Sequence, residues 1–304
     1  MVQSLAQTLA SEIADGRWPA GSILPSTRAL AADLGCAPGT VARAYGELRR
    51  AGVIAARDRA RSRVAAGGPP RARWWLAGGR RLRLAGSDDP ALDALVRAAG
   101  EAVEVVPGPR GSVHGLEAIA RGVADGCVLH LLHAESGRYN DSYVRRLLPG
   151  EPVVLVHLWR REVGLVVPRG NPRAVRGVAD LAGRRVAWRA RGSASRLLLE
   201  RLLAEAGVEP AAESGQPADS HLAVAAAVAA GGADAGLAVR AVAQACDLDF
   251  VGVTVEPFEL AVRAEAVDSA AGLLARLRDP SFSERVAALG GYDLDDTGAQ
   301  GRAA

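Results

Sequence analysis

Residues 19–54, PAGSILPSTRALAADLGCAPGTVARAYGELRRAGVI, decide how the first part of the chain folds. Pro19-Ala20-Gly21 and Leu24-Pro25 are turn chemistry. Ser26, just after the proline, is an N-cap for a short helix that carries Leu30 and Leu34, and Gly35 stops it. Pro38 suits the first turn of a further helix, where its missing N–H costs nothing. Val41, Tyr45 and Leu48 supply that helix's buried stripe, and Gly52 ends it. Upstream, Leu5, Leu9 and Ile13 recur at i, i+4 and i+8, the stripe of a first amphipathic helix. Downstream, residues 53–56 and 63–65 read as the strands of a hairpin, with residues 57–60 at its tip.

The chain has 304 residues, 49 % apolar and 23 % charged, which suits about two domains with sizeable cores. All 37 basic residues are arginine. A chain without lysine forms no Schiff base, anchors no pyridoxal phosphate and has no P-loop lysine. Residues 1–83 hold 14 arginines against five acidic residues, +9, whereas residues 84–304 hold 23 against 29, −6. A basic head on an acidic body points to nucleic acid or a membrane surface for the head. Cys36, Cys127 and Cys246 are far apart and odd in number, which is neither a disulfide framework nor a zinc spacing and fits a reducing compartment. The N-terminus has no charged segment followed by an apolar block, and the longest apolar run, residues 222–230, is too short to span a bilayer. A soluble cytoplasmic protein with no membrane partner is expected.

Three helices, a tight turn between the second and third, and a basic hairpin describe a winged helix-turn-helix. The head resembles the DNA-binding domain of the GntR family. The residues that carry this are Ile13-x-x-Gly16, Pro19-x-Gly21-x-x-Leu24-Pro25-Ser26-x-Arg28-x-Leu30-Ala31, Leu34-Gly35, Thr40-Val41-x-x-Ala44-Tyr45 and Leu48-x-x-x-Gly52-Val53-Ile54. The resemblance implies an operator of double-stranded DNA bound by a homodimer. It implies DNA contacts from Ser26, Thr27 and Arg28 at the start of the second helix, Thr40 and Arg43 on the third, and Arg59 and Arg61 on the wing. Arginine reads guanine through two parallel hydrogen bonds, and a recognition helix presents its N-terminal residues to base edges. Two departures stand out. Ala37-Pro38-Gly39 replaces the family's Ser-Arg before the threonine, and Arg61-Ser62 replaces the wing's Gly-Thr.

Residues 67–80 have linker composition, Gly67-Gly68-Pro69-Pro70 followed by Arg71, Arg73 and Trp74-Trp75; the tryptophans favour a dimer or interdomain contact over DNA. Beyond residue 81 strands and helices alternate, which argues an α/β fold with a mostly parallel sheet. Strands are expected at residues 82–85, 103–106, 127–132, 153–158, 163–167 and 185–189, with Arg160-Arg161-Glu162 breaking the fourth from the fifth. Gly86-Ser87, Gly111-Ser112 and Gly192-Ser193 end strands and precede helices. Helix N-termini offer free N–H groups and positive partial charge, so several converging in one cleft make an anion site; singly, each serine is an N-cap.

The body resembles the periplasmic-binding-protein-like domain of molybdate-type regulators. This rests on residues 111–140, Arg161-x-x-Gly164-Leu165-x-x-Pro168-Arg169-Gly170-Asn171-Pro172, Arg189-x-Arg191-Gly192-Ser193-Ala194-Ser195-Arg196, Ser220-His221-Leu222-Ala223-Val224-Ala225, Gly232-Ala233-Asp234-Ala235-Gly236, Leu248-Asp249-Phe250 and Gly290-Gly291-Tyr292-Asp293. It implies a two-lobed α/β body of type II architecture over residues 81–304, after a winged helix-turn-helix at 1–66 and a linker at 67–80. Lobe one takes 81–163 and 263–304 and lobe two 169–255, with crossings near 164–168 and 256–262. It implies a small anionic ligand, molybdate or tungstate among the candidates, held by Ser87, Ser112, Arg189, Ser193 and Ser195, with His221 capping or lining the site. No cofactor, metal or catalytic residue is implied. Ala194 stands where the family has glycine, which puts a methyl at the anion and counts against those two oxyanions.

Other readings are weaker. His130 and His133 lie three apart on an expected strand and so face opposite sides. Asp234 reads as a turn residue. An enzyme on a binding-protein scaffold needs a reactive group in the cleft, and Cys127 lies in an apolar strand. Regulators of the GntR type fused to an aminotransferase-like domain are excluded by the missing lysine.

Overall fold

The computed structural model describes residues 4–57, 61–76, 78, 81–133, 135–211 and 216–302. The head elements are α1 (Leu5–Ala14), α2 (Thr27–Asp33), α3 (Pro38–Arg50), β1 (Ile54–Arg57), β2 (Arg61–Val64) and α4 (Gly68–Leu76). Then come β3 (Leu82–Gly86), α5 (Pro90–Ala99), β4 (Val103–Val105), α6 (Ser112–Ala120), β5 (Gly126–Leu129), α7 (Asp141–Leu147) and β6 (Val153–Val167). They are followed by β7 (Val186–Ala187), α8 (Ala194–Ala206), α9 (His221–Ala229), β8 (Ala235–Val239), α10 (Arg240–Ala245) and β9 (Asp249–Arg263). The chain ends with α11 (Val267–Leu277), α12 (Pro280–Leu289), β10 (Tyr292–Asp293) and β11 (Gln300–Arg302). Two compact units result, one of residues 1–82, 95–104 and 265–282, the other of 83–94, 105–264 and 283–304.

In the first unit Ser4 and Gln7 form a capping box that starts α1, and the Ser26 hydroxyl accepts from the Ala29 amide to start α2. Pro38 occupies the first turn of α3. Ile13, Val41, Leu48, Tyr45 and Ile54 are buried together, and the Tyr45 hydroxyl donates to the Pro25 carbonyl at 2.9 Å, which ties α3 to the loop before α2. β1 and β2 pair antiparallel from Ile54↔Val64 to Arg57↔Arg61. The wing tip, with Arg59, lies outside the described residues. Residues 68–76, expected as linker, are helix α4. Its prolines sit in the first turn, where they are tolerated, and Ala72 is fully buried in the head core with Trp75 and Leu76 against it. Trp74 and Ala102 close on Gly272 of α11, within the same unit; a Cβ at Gly272 would meet Ala102 at 2.7 Å.

The second unit is built on a sheet in the order β3-β5-β9-β6-β8-β7, with β10 and β11 also paired to β6. β3 and β5 run parallel, as do β7 and β8, but every described pairing of β6 and β9 is antiparallel. The sheet is therefore mixed, not mostly parallel, because two 15-residue strands run through both lobes as its spine. Arg160-Arg161-Glu162 does not break β6. The strand passes through it, with register shifts between His157 and Trp159 and between Val163 and Gly164. A charged triplet survives mid-strand because Arg161, fully buried, is paired on both sides. Separate apolar cores fill the lobes: Leu116, Ile119, Cys127, Leu129 and Val144 in one; Val166, Leu199, Val224, Leu237 and Val242 in the other.

Candidate functional site

The head presents its expected DNA contacts on two helices and a wing. Thr40 and Arg43, three apart on α3, lie on the face opposite buried Val41, Ala44 and Leu48, and both are exposed. Arg28 and Arg61 are exposed, while Ser26 and Thr27 are half-buried at the start of α2. Among the described residues none of Arg28, Arg43 and Arg61 has an ion-pair partner, so their charges are available to phosphates or base edges.

In the body the expected hydroxyls do gather. Ser87 and Ser112 are buried with their hydroxyl oxygens 2.8 Å apart, and Ser112 accepts the amide of His130 at 3.2 Å. Ser193 caps α8 by accepting the Arg196 amide, and Ser195, two residues along in the first turn, is buried. The loops before α6 and α8 touch: a Cβ on Gly111 (φ +140°) would lie 2.8 Å from the Gly192 carbonyl oxygen. Only glycine permits both that backbone angle and that approach.

Arg189, expected to supply formal charge to a ligand, is buried and already paired. Its Nη2 donates to Asp88 Oδ1 at 2.5 Å and to the Asp219 carbonyl at 3.1 Å. The second Asp88 oxygen accepts the His221 amide at 2.7 Å, at the first residue of α9. A carboxylate of the protein itself thus occupies a guanidinium and a helix N-terminus, where an external anion was expected. Burial alone would raise the Asp88 carboxyl, but His221, Arg189 and the His221 amide together hold it well below the usual carboxylate range. The His221 ring is buried, with neither nitrogen hydrogen-bonded among the described residues, and burial pushes its pKa well down.

A second charged cluster, absent from the sequence-based expectations, sits on the spine. Arg161 Nη1 donates to Asp89 Oδ2 at 2.6 Å, and its Nε and Nη2 donate to Glu256 Oε1 at 3.0 and 2.8 Å. His130 Nδ1 lies 2.8 Å from the same oxygen without the alignment of a hydrogen bond. The Tyr292 hydroxyl lies 3.2 Å from both Asp89 oxygens. Phe258 lies 4.4 Å under the Arg161 guanidinium and stacks on Trp159. Burial would raise Glu256, but His130 and Arg161 bring it down to about 2. Burial lowers His130. In the sequence its members stood apart: Arg161 and Tyr292 within the resemblance motifs, and His130 as half of a discounted histidine pair. Asp234 is more than a turn residue: it accepts from the Arg185 amide and guanidinium, both at 3.0 Å. Cys127 is fully buried and burial pushes its thiol up, which suits packing and not nucleophilic attack.

Beside the Ser112 and Ser193 loops lies a cavity of about 200 Å³, between the strand end at His130 and helices α7 and α8. Among the described residues no cluster of His, Cys, Asp and Glu has the makings of a metal site, and no helix is long and apolar enough to cross a membrane.

Residues 1–64 match the family of bacterial regulatory proteins, gntR family, and residues 94–274 match the PBP superfamily domain. "Uncharacterized protein YvgK" of Bacillus subtilis (strain 168) is 32 % identical over 226 residues, covering 72 % of this chain and 73 % of its own. An uncharacterized protein in the ferredoxin 2Fe-2S gene 5′ region of Clostridium pasteurianum is 32 % identical over 107 residues, 34 % of this chain and 95 % of its own. A crystal structure of the ancestral amino acid-binding protein AncCDT-1 is similar in fold at TM-score 0.49 and 14 % identity, over 71 % of this chain and 98 % of its own. The chain belongs to the PBP superfamily domain family through its two-lobed body, which it carries behind a DNA-binding head of the GntR family.

Proposed function

We propose that this protein is a ligand-responsive transcription regulator of the cytoplasm and not an enzyme. The head binds a pseudo-palindromic operator as a homodimer through α3, the start of α2 and the wing, with Arg28, Thr40, Arg43, Arg59 and Arg61 toward the DNA. The body senses a small molecule in the cleft between its lobes. The observation that carries this is the joining, in one chain, of exposed and unpaired arginines on a GntR-type helix-turn-helix to a two-lobed binding domain. Ligand contacts from both lobes favour the closed state, and only a difference in affinity between open and closed states moves that equilibrium.

Two ligand readings remain, and the geometry favours an organic molecule. Arg189 is matched by Asp88, and Arg161 by Asp89 and Glu256, so neither buried guanidinium is free to balance a dianion. The oxyanion reading, molybdate or tungstate, is supported by the four hydroxyls of Ser87, Ser112, Ser193 and Ser195 and by the adjoining starts of α6 and α8. Footprinting of the full chain on genomic fragments tests the regulator itself. Discrete protected sites that resist competitor DNA are expected, with affinity falling steeply as salt rises. Protection no better than non-specific binding would end the proposal.

A further inference from the structure

The 200 Å³ cavity between α7 and α8 has a chemistry of its own. Leu132, Tyr143, Leu197 and Leu198 give it apolar walls, and Glu256 and His130 line it as well. Roughly 150 Å³ of apolar cavity holds a benzene ring, so this one has room for such a body and a short polar head. An inorganic oxyanion would leave the apolar walls unused.

Glu256 decides what the head is. Both hydrogen bonds from Arg161, and the close approach of His130, fall on Oε1. Oε2 has no donor among the described residues, although the side chain is only 2 % exposed. A ligand N–H could donate to this open oxygen, and an ammonium makes the charge-assisted form of that bond. Arg201, on another wall, is held by Glu205 through Nε, while its Nη1 has no acceptor. It is the group a carboxylate ligand would take.

We infer that the cavity binds a small organic ammonium, a primary amine with an apolar body about the size of a benzene ring, seated with its charge on Glu256. This names the ligand class for the small-molecule reading above and rests on it.

Titration calorimetry of the full chain with benzylamine, benzyl alcohol, benzoate and sodium molybdate, at neutral pH, tests the assignment. Benzylamine should bind about ten- to a hundred-fold more tightly than benzyl alcohol, the worth of one charge-assisted hydrogen bond. Benzoate should bind no more tightly than benzyl alcohol, and molybdate should give no saturable heat. Glu256→Gln should remove the preference for amine over alcohol. Leu197→Trp, at a position 40 % exposed on α8, should fill the cavity without disturbing the core and abolish binding of both. No saturable heat with benzylamine, tighter binding of benzoate or molybdate, or benzylamine binding unchanged in Leu197→Trp would each overturn it. Footprinting separates this from the regulator proposal: amine binding that leaves the protected sites unchanged removes the sensing role and keeps the site, whereas ligand-free protection with no amine binding does the reverse.

Discussion

Asp88 is the residue whose chemistry changes most between sequence and structure. Its carboxylate spans the cleft, from the β3 loop of one lobe to Arg189 and the α9 amide of the other. Removing one partner of such a pair strands a buried charge, whereas removing both does not. In a denaturation cycle of Asp88→Ala, Arg189→Ala and the double variant, each single change should cost more than the pair's non-additivity predicts for strangers, with a coupling of about 1–3 kcal/mol. Additive losses would mean that the two side chains are not coupled. Glu256 gives a pH signature. Its folded-state pKa, about 2, lies below the usual 4.5. Its stabilisation is therefore complete above the unfolded value and is lost as the pH falls toward the folded one. The melting-temperature gap between the natural chain and Glu256→Gln should be widest near neutrality and narrow from about pH 5 to pH 2. A gap constant with pH would show that charge is not what Glu256 contributes.

The elements divide into those whose code is local and those whose code is not. α3 was legible from residues 38–52 because proline, apolar stripe and terminal glycine follow one another within a few turns. β6 was read as two strands because Arg161 looks like a solvated charge, and the partners that let it be buried, Asp89 and Glu256, are 72 and 95 residues away. α4 was hidden by a Gly-Pro-Pro start that reads as linker until Ala72 is seen in a core. The hydroxyls of the cleft were found because each precedes a helix. Asp88 was missed because nothing near it in the sequence signals a buried charge, and its partner Arg189 is 101 residues distant. The wing and the recognition helix should differ in kind of contact. Arg43→Ala should weaken operator binding roughly ten-fold or more and relax preference at one position. Arg61→Ala should weaken all sequences alike and lower the salt slope by about one. Equal effects of both on operator and non-specific DNA would remove α3 as the reading element.

Across the whole molecule the net charge of +3 averages a +9 head and a −6 body. A basic surplus on the head suits a polyanion such as DNA. The spine carries a consequence in time. Val167 and Asp249 are register partners, so the chain leaves for lobe two and returns to the same point on the ladder. Lobe one is interrupted there, since β5 must find β9, a strand made more than a hundred residues later. During synthesis, a nascent chain reaching residue 240 holds β6, β7 and β8 yet lacks the neighbour that β5 needs. Closing that long loop is entropically costly and slow. Pulse-labelled hydrogen exchange during refolding should protect the amides of β8 before those of β5. The reverse order would mean that lobe one assembles first, without its later strand. A ribosome would then hold, for several seconds at ordinary elongation rates, a chain whose half-built lobe one exposes an unpaired strand edge and waits for its last piece.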